Sequence, residues 1–207
     1  MPEGRDQFVV EDARFSLSVG DPRALPPPLP RELCVVGRSN VGKSSLINLL
    51  LERRELARTA RAPGRTRLVN FFSVRLRRAR LRPCELNVVD LPGYGFARLS
   101  ASEQRRVEAL LGAYLSGGRG QGAALQLIDC RRQVEELDVD IQRRLAGAGF
   151  ATVVAATKID KLAKSRRVGV ARRLSAAFVG APVVLTSAAD RIGRAELWSE
   201  LWRALRL

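Results

Sequence analysis

Six short segments with the apolar or alternating pattern of β-strands alternate with segments of helical periodicity from residue 32 to the C-terminus. The strand-like segments are "ELCVVG" (32–37), "LVNFFSVRL" (68–76), "CELNVVD" (84–90), "AALQLIDC" (123–130), "FATVVAATK" (150–158) and "APVVLTS" (181–187). Strands that alternate with helices form a mostly parallel sheet covered by helices on both faces. The pattern therefore predicts a three-layer α/β fold with a mostly parallel six-stranded sheet, and ligands bind such sheets at the carboxyl ends of the strands.

The first strand runs into a glycine-rich loop, "GRSNVGKSS", and a helix follows directly. The loop fits G-x-x-x-x-G-K-[ST]. In this context backbone N–H groups and the helix N-terminus converge on phosphate oxygens, Lys43 reaches the β- and γ-phosphates, and the Ser44 hydroxyl coordinates Mg²⁺. The candidate phosphate-binding residues are Gly37, Arg38, Ser39, Asn40, Val41, Gly42, Lys43, Ser44 and Ser45. The alternative is a helix-capping turn with a solvated lysine.

A second polar segment, "DLPGYG" (90–95), follows the strand at 84–90. An acid at a strand end can hold Mg²⁺ through water, which is the role expected of Asp90. Gly93 can present its N–H to the γ-phosphate. The candidate residues are Asp90, Leu91, Pro92 and Gly93, and the alternative is an ordinary junction from an aspartate into a turn.

The segment "TKID" (157–160) discriminates between bases. The Asp160 carboxylate can accept hydrogen bonds from N1–H and the exocyclic amine of guanine, with the Lys158 stem against the ring. Adenine lacks this donor pair and would leave the carboxylate unpaired, at a cost of about 1–3 kcal/mol. "TSA" (186–188) ends the next strand and can offer a backbone N–H to guanine O6. The candidate base-binding residues are Thr157, Lys158, Ile159, Asp160, Thr186, Ser187 and Ala188. In this order, at four strand ends, the segments predict a GTP site.

Four segments carry a resemblance to a known family: "GRSNVGKSSLIN", "APGRTRLVNFF", "DLPGYGFA" and "TKIDK". Their combination is similar to the EngB family of bacterial GTP-binding proteins, a branch of the TRAFAC-class GTPases, and the similarity extends over residues 32–204. Two features depart from the family pattern. "DCRRQVEELD" stands where the family has Asp-x-Arg followed by proline, and the N-terminal segment is richer in proline.

The resemblance implies a Ras-like P-loop GTPase fold, GTP and GDP as ligands, and Mg²⁺ as cofactor. It also implies that Thr66 is the switch threonine, whose hydroxyl joins Mg²⁺ and whose backbone senses the γ-phosphate. The loop around it is polar and glycine-bearing, and so suited to ordering around a ligand; its candidate residues are Gly64, Arg65, Thr66, Arg67 and Leu68. The expected metal ligands are Ser44, Thr66 and Asp90. The alternatives are a turn role for Thr66 and RNA contacts for the arginines.

Many GTPases place a water-orienting glutamine directly after the glycine of D-x-x-G. Tyr94 occupies that position here, so we expect slow unaided hydrolysis. The resemblance suggests that Asn40 holds a K⁺ ion in place of an arginine finger, a contribution of about 10³–10⁵ in rate; the alternative is a turn-stabilising asparagine. The residues expected to act in the reaction are Lys43, Thr66, Gly93 and Asn40, and no general base is identified.

The formal net charge of +15 makes a polyanion a natural partner. Eleven arginines lie between Arg53 and Arg82, with Glu55 as the single acidic residue. We therefore expect contact with nucleic acid. Histidine is absent, which excludes His-based triads and His metal sites.

The resemblance implies a role in assembling the large ribosomal subunit, with ribosomal RNA as partner, and a requirement for septation and cell division. The alternative is a GTPase switch whose main partner is a division or membrane-associated protein. The basic segment "KSRRVGVARRLSAAF" is a modest candidate for such a contact. An ATP-dependent nucleic-acid motor is disfavoured by Asp160 and by the lack of a second motor domain.

Residues 1–30 are predicted to form a proline-containing arm, because "DPRALPPPLP" (21–30) holds five prolines and cannot be a helix or a central strand. Residues 31–207 are predicted to form the GTP-binding domain. Residues 1–10 lack the pattern of a secretory signal and no apolar stretch approaches the roughly 20 residues of a membrane span. We expect a cytoplasmic monomer.

The cysteines and tryptophans are expected to have structural roles rather than roles in binding or catalysis. Cys34, Cys84 and Cys130 lie in strand-like segments without C-x-x-C spacing, and we expect them to be buried, reduced thiols. Trp198 and Trp202 lie four residues apart and are expected to pack in the core.

Overall fold

The computed structural model describes residues 8–59, 68–95, 99–119 and 122–207. Its strands are β1 (Phe8–Val19), β2 (Glu32–Gly37), β3 (Val69–Arg78), β4 (Cys84–Asp90), β5 (Ala123–Asp129), β6 (Ala151–Thr157) and β7 (Val183–Leu185). Its α-helices are α1 (Lys43–Leu51), α2 (Leu56–Thr59), α3 (Ala101–Ser116), α4 (Glu136–Gly147), α5 (Lys164–Ala177) and α6 (Arg194–Ala204).

Within the described residues the strands form one seven-stranded sheet in the order β1-β3-β4-β2-β5-β6-β7. The pairs β4-β2, β2-β5, β5-β6 and β6-β7 are parallel, whereas β1-β3 and β3-β4 are antiparallel. The mostly parallel α/β fold is confirmed. The predicted number of six strands was wrong, because β1 adds a seventh.

Strand β1 comes from the segment that the sequence predicted to be an arm. It pairs with β3 along its whole length, and its inward-facing Phe8, Val10, Ala13 and Val19 are buried. Register shifts between Val10 and Asp12 and between Phe15 and Leu17 interrupt its alternation. The period-2 pattern was therefore not visible in the sequence. Whether residues 1–30 and 31–207 act as separate units stays a prediction.

Alternate residues of the central strands face two helical layers. On β2, Leu33 and Val35 pack with the apolar residues of α1 and α6. Cys34 and Val36 point the other way, into the cluster formed with α3 and α4. Helix α5 covers β6 on that same face. The three-layer arrangement leaves the carboxyl ends of β2, β4, β5, β6 and β7 at one edge, where the predicted site segments begin.

The packing role of the tryptophans is confirmed, since Trp198 and Trp202 are buried. The Phe8 ring lies 6.2 Å from that of Trp198 and 5.7 Å from that of Trp202, measured between ring centroids. All three cysteines are free thiols; Cys34 and Cys130 are buried, as expected, and Cys84 is half-buried. None of the helices in the described ranges combines the length and the apolar character needed to cross a bilayer.

Candidate functional site

The glycine-rich loop connects the central strand to the first helix. All residues of β2 are buried, and α1 begins at Lys43 directly after Gly42. Gly42 has φ +108°, a left-handed conformation that glycine adopts without the steric cost of a Cβ. The first N–H groups of α1 have no partner within the helix, so they and the helix dipole are available to an anion. This is the geometry that the motif predicts for phosphate binding.

The residues expected at the metal have the chemistry that Mg²⁺ requires. The Ser44 hydroxyl oxygen is buried and has no hydrogen-bond partner among the described residues. Asp90 is 2% exposed at the end of β4, next to β2 in the sheet. Hydroxyl and carboxylate oxygens are hard ligands of the kind that Mg²⁺ prefers. The described part of the site therefore fits the metal, while Thr66 lies outside the described residues.

The segment after β4 is fastened to the glycine-rich loop by its backbone. Tyr94 N–H donates to the Gly37 carbonyl at 3.3 Å, and Ser39 N–H donates to the Tyr94 carbonyl at 3.1 Å. A Cβ on Gly93 would lie 3.2 Å from Lys43 Nζ and 3.2 Å from the Ser39 nitrogen. Such contacts are closer than ordinary van der Waals distances, so only glycine fits here without displacing the lysine. Gly93 is thus held beside the lysine expected to reach the γ-phosphate.

The ends of β6 and β7 and the glycine-rich loop line a cavity of about 500 Å³. Its lining includes Gly42, Ser44 and Ser45 of the loop and first helical turn, together with Thr157, Lys158, Asp160, Thr186 and Ala188. The structure brings the predicted phosphate segment and the predicted base segments to a single cavity. A cavity with both sets of groups can hold the base and the phosphates of one nucleotide.

The Asp160 carboxylate lies at the wall of this cavity, where its contacts keep it an ionised hydrogen-bond acceptor. Ser187 Oγ donates to its Oδ1 at 2.8 Å, and Lys161 Nζ lies 3.2 Å from its Oδ2. The hydrogen bond from Ser187 and the charge of Lys161 lower the pKa of the Asp160 carboxyl, so the side chain is ionised at neutral pH. An ionised carboxylate accepts hydrogen bonds but donates none, which suits the paired donors of guanine.

Lys158 connects the base segment to the glycine-rich loop. Its Nζ donates to the Asn40 carbonyl at 2.7 Å and lies 3.0 Å from Asp129 Oδ2. Burial acts to raise the pKa of Asp129, but hydrogen bonds from Arg131 and Lys158 outweigh it and lower the pKa to about 2. Asn40 has φ +61°, a conformation that asparagine tolerates. Asn40 thus lies at a left-handed position of the loop, which is compatible with the turn role.

A buried hydrogen-bond network lies behind the loop, on the side of α4. Asp138 Oδ1 accepts from Arg38 Nε and from the Tyr94 hydroxyl, each at 2.9 Å. Arg38 also donates to Glu135 at 2.7 Å, and Gln126 Nε2 donates to the Asp138 carbonyl at 2.7 Å. Burial, followed by the charge of Asp138, raises the pKa of the Tyr94 hydroxyl, which stays protonated as a donor. The Tyr94 side chain is thus held in this network by α4 and is not positioned as a water-orienting glutamine would be.

The sequence missed Asp129, Asp138 and Gln126. The signal available was weak: Asp129 is the next-to-last residue of the predicted strand 123–130, and Asp138 lies three residues after Glu135 in a capping-box arrangement. Four predicted site residues, Gly64, Arg65, Thr66 and Arg67, lie outside the described residues. Leu68 is half-buried just before β3. The remaining predicted residues all lie at the same edge of the sheet.

Comparison with known proteins identifies the family. A family model described as "50S ribosome-binding GTPase" matches residues 32–158. The probable GTP-binding protein EngB of Desulfovibrio desulfuricans is 39% identical over 173 residues, 84% of this chain and 82% of that protein. EngB of Anaeromyxobacter dehalogenans is 38% identical over 195 residues, 93% of this chain and 90% of that protein. The chain belongs to the EngB family of GTP-binding proteins. The resemblance inferred from the motifs is confirmed, and the protein is a member of a GTPase family.

Solved structures agree on the fold. A probable GTP-binding protein EngB superposes with a TM-score of 0.61 at 20% identity, covering 84% of this chain and 98% of the other. Era from Aquifex aeolicus, bound to GDP and AlF4⁻, superposes with a TM-score of 0.64 at 20% identity, covering 84% of this chain and 56% of Era. The Ras-like P-loop GTPase fold expected for the EngB family is therefore shown.

Proposed function

We propose that this EngB family member is a cytoplasmic guanine-nucleotide switch that acts as a monomer in assembling the large ribosomal subunit, and that septation and cell division depend on it. The observation that carries the proposal is the single cavity bounded by the glycine-rich loop, "TKID" and "TSA". The match to a family described as 50S ribosome-binding supports the choice of partner, and the net charge of +15 suits ribosomal RNA.

In this proposal each segment has one task toward the nucleotide. Lys43 and the N–H groups at the start of α1 bind the phosphates, Asp160 accepts from guanine, and Gly93 responds to the γ-phosphate. Ser44, Thr66 and Asp90 would hold Mg²⁺, directly or through water, and the metal would neutralise charge on the β- and γ-phosphates. GTP then orders the loops that contain Thr66 and Gly93, a partner binds the ordered form, and hydrolysis releases it.

Hydrolysis in this proposal is slow without help. Tyr94 stands where many GTPases have the glutamine that orients the attacking water. Its hydroxyl donates a hydrogen bond to Asp138 and so does not orient that water. The Asn40 carboxamide forms no hydrogen bond within the described part of the chain, and its oxygen is a suitable K⁺ ligand. We expect hydrolysis to be faster in KCl than in NaCl for the wild-type protein, and the difference to vanish in Asn40→Ala. A difference that survives in the variant would remove Asn40 from this role.

Co-sedimentation with purified ribosomal subunits tests the proposed function. The protein is loaded with GDP or with a non-hydrolysable GTP analogue and mixed with each subunit at two salt concentrations. We expect co-migration with the large subunit that depends on the GTP analogue and survives the higher salt. Binding that is equal in both nucleotide states and is lost at the higher salt would show only nonspecific electrostatic attraction to RNA. That result would favour a division or membrane-associated protein as the main partner.

A further inference from the structure

Helix α5 lies in a stretch of the chain that carries only positive charge. Residues 161–189 contain six cationic residues and no carboxylate. The cationic residues are Lys161, Lys164, Arg166, Arg167, Arg172 and Arg173. Lys164, Arg166 and Arg172 are exposed and form no salt bridge with any residue in the described ranges. The positive charges of these three side chains therefore face solvent.

The cationic residues at the start of α5 lie at the end of the helix where positive charge is least favourable to helix stability. Lys164, Arg166 and Arg167 occupy its first turn, which has no acidic residue, and its last turn has no basic residue. The macrodipole makes the first turn the positive end, so these side chains are repelled by the dipole and by one another. An arrangement that opposes local stability is expected at functional surfaces.

Several arginines of the arginine-dense segment Arg53–Arg82 differ from those of α5 because they have partners within the protein. Glu11 of β1 pairs with Arg75 at 3.2 Å and with Arg77 at 2.8 Å. The Arg78 guanidinium lies 5.8 Å from the centre of the Phe8 ring and 5.7 Å from that of Trp202. Part of the Arg53–Arg82 charge is thus neutralised or committed to packing. Charge density in the sequence does not by itself locate the binding face.

The shape of α5 favours a phosphate backbone over a membrane. Two of its apolar residues, Val170 and Leu174, are buried in a cluster with residues of β6. Between Lys164 and Arg172, the outer face presents Ser165, Val168 and Gly169, of which only Val168 is apolar and larger than a methyl group. A membrane-surface helix needs a broad exposed apolar face, which α5 lacks. Small side chains between cations instead allow a polyanion backbone to approach closely, and serine hydroxyls can donate to phosphate oxygens.

Helix α5 also adjoins the nucleotide site. Arg173 donates to the carbonyls of Cys130 and Arg132, which joins the helix to the loop after β5. The segment leading into the helix begins with Lys161, which pairs with Asp160 at the base cavity. A ligand on α5 would therefore bind a helix that is joined directly to elements beside the nucleotide site.

We propose that the solvent-exposed surface of α5, on which Lys164 and Arg172 lie and which Arg166 flanks, is the surface that binds RNA of the large ribosomal subunit through its phosphate backbone. The inference rests on the proposed function and names the contact face for it. Phosphate contacts of this kind fix position and orientation without reading sequence. They also make the affinity fall with salt in proportion to the number of phosphates neutralised.

The test compares two triple variants with the same loss of charge. In the first, Lys164, Arg166 and Arg172 are changed to Gln. In the control, the exposed Arg54, Arg80 and Arg82 of the arginine-dense segment are changed to Gln. Affinity for RNA extracted from large subunits is measured over roughly 50–200 mM salt, with the GTP analogue bound. Thermal unfolding and GDP affinity are measured alongside.

We expect the α5 variant to lose at least about tenfold in RNA affinity and about two to three units of salt slope. Its melting temperature should be unchanged or higher, because the cations in the first turn are unfavourable to the helix, and its GDP affinity should be retained. The control variant should lose less than about threefold. Equal losses in both variants, or no loss in the α5 variant, would overturn the assignment to α5 while leaving the proposed function intact. Wild-type protein that fails to bind large-subunit RNA would overturn both.

Discussion

Ser44 is a half-buried serine whose hydroxyl oxygen is itself buried and has no hydrogen-bond partner in the described part of the protein. A buried hydroxyl without a hydrogen-bond partner costs about 1–3 kcal/mol of stability. A bound ligand that interacts with the Ser44 hydroxyl would offset this cost and explain why a serine is present here. The neighbouring Ser45 is exposed and makes a natural comparison.

We expect Ser44→Ala to abolish most of the gain in GTP affinity that Mg²⁺ gives the wild-type protein, because the variant lacks the hydroxyl ligand. The measurement is GTP affinity with Mg²⁺ and with a chelator, for the wild-type protein, Ser44→Ala and Ser45→Ala. The Ser45 variant should behave as the wild type does. An undiminished Mg²⁺ effect in Ser44→Ala would exclude this hydroxyl from the metal site.

At the scale of elements, Asp138 joins α4 to both phosphate-sensing segments. It is 2% exposed and accepts from Arg38 of the glycine-rich loop and from Tyr94 beside Gly93. Its Oδ2 also accepts from the Glu135 N–H at the start of α4. Helix α4 thus holds the loop and the Gly93 segment in a fixed relation.

We expect Asp138→Asn to destabilise the fold by about 3 kcal/mol, because it removes the buried carboxylate that pairs with Arg38 and leaves this largely buried guanidinium only the exposed Glu135 as partner. We also expect GTP affinity to fall relative to GDP affinity, since the Tyr94 side chain next to Gly93 then meets a neutral amide in place of the Asp138 carboxylate. Denaturant unfolding and nucleotide titration measure these effects. The surface pair Arg144–Glu108 supplies the control, and Glu108→Gln should cost less than about 1 kcal/mol. Identical behaviour of the two variants would contradict the positioning role of Asp138.

The contrast between these residues shows what sequence could and could not predict. Gly42, Lys43 and Asp160 stand in contiguous segments whose chemistry is readable locally, and their strands bring them together by topology. The bond from Arg38 to Asp138 spans 100 residues of sequence, and that from Tyr94 to Asp138 spans 44. Such pairs depend on how helices pack on the sheet, which periodicity does not specify. Strand β1 was missed for a related reason, because its bulges break the alternation.

At the scale of the molecule, β1 completes the core that α6 forms with the sheet. Phe8 is 4% exposed and packs on Trp198 and Trp202, whereas Phe15 on the same strand is 43% exposed. The first residues described therefore pack into the core, and β1 takes the outermost position of the sheet, next to β3.

We expect Phe8→Ala to lower the free energy of unfolding by about 3–5 kcal/mol, through lost burial and a cavity beside the tryptophans. Phe15→Ala should cost about 1 kcal/mol, since it loses mainly an edge contact with Phe72. Chemical denaturation of both variants measures the difference. Similar small costs for the two substitutions would mean that β1 adds little to the core.

We propose that Asp160, at the wall of the shared cavity, selects guanine. In Asp160→Asn the amide can donate to the 2-carbonyl of xanthine, but it meets the 2-amino group of guanine donor to donor. Titration of GDP and xanthosine diphosphate into the wild-type protein, Asp160→Asn and the control Asp190→Asn, a nearby exposed aspartate, tests this claim most directly. We expect only Asp160→Asn to reverse the preference from GDP to xanthosine diphosphate. An unchanged preference for GDP in that variant would contradict it and place guanine recognition elsewhere.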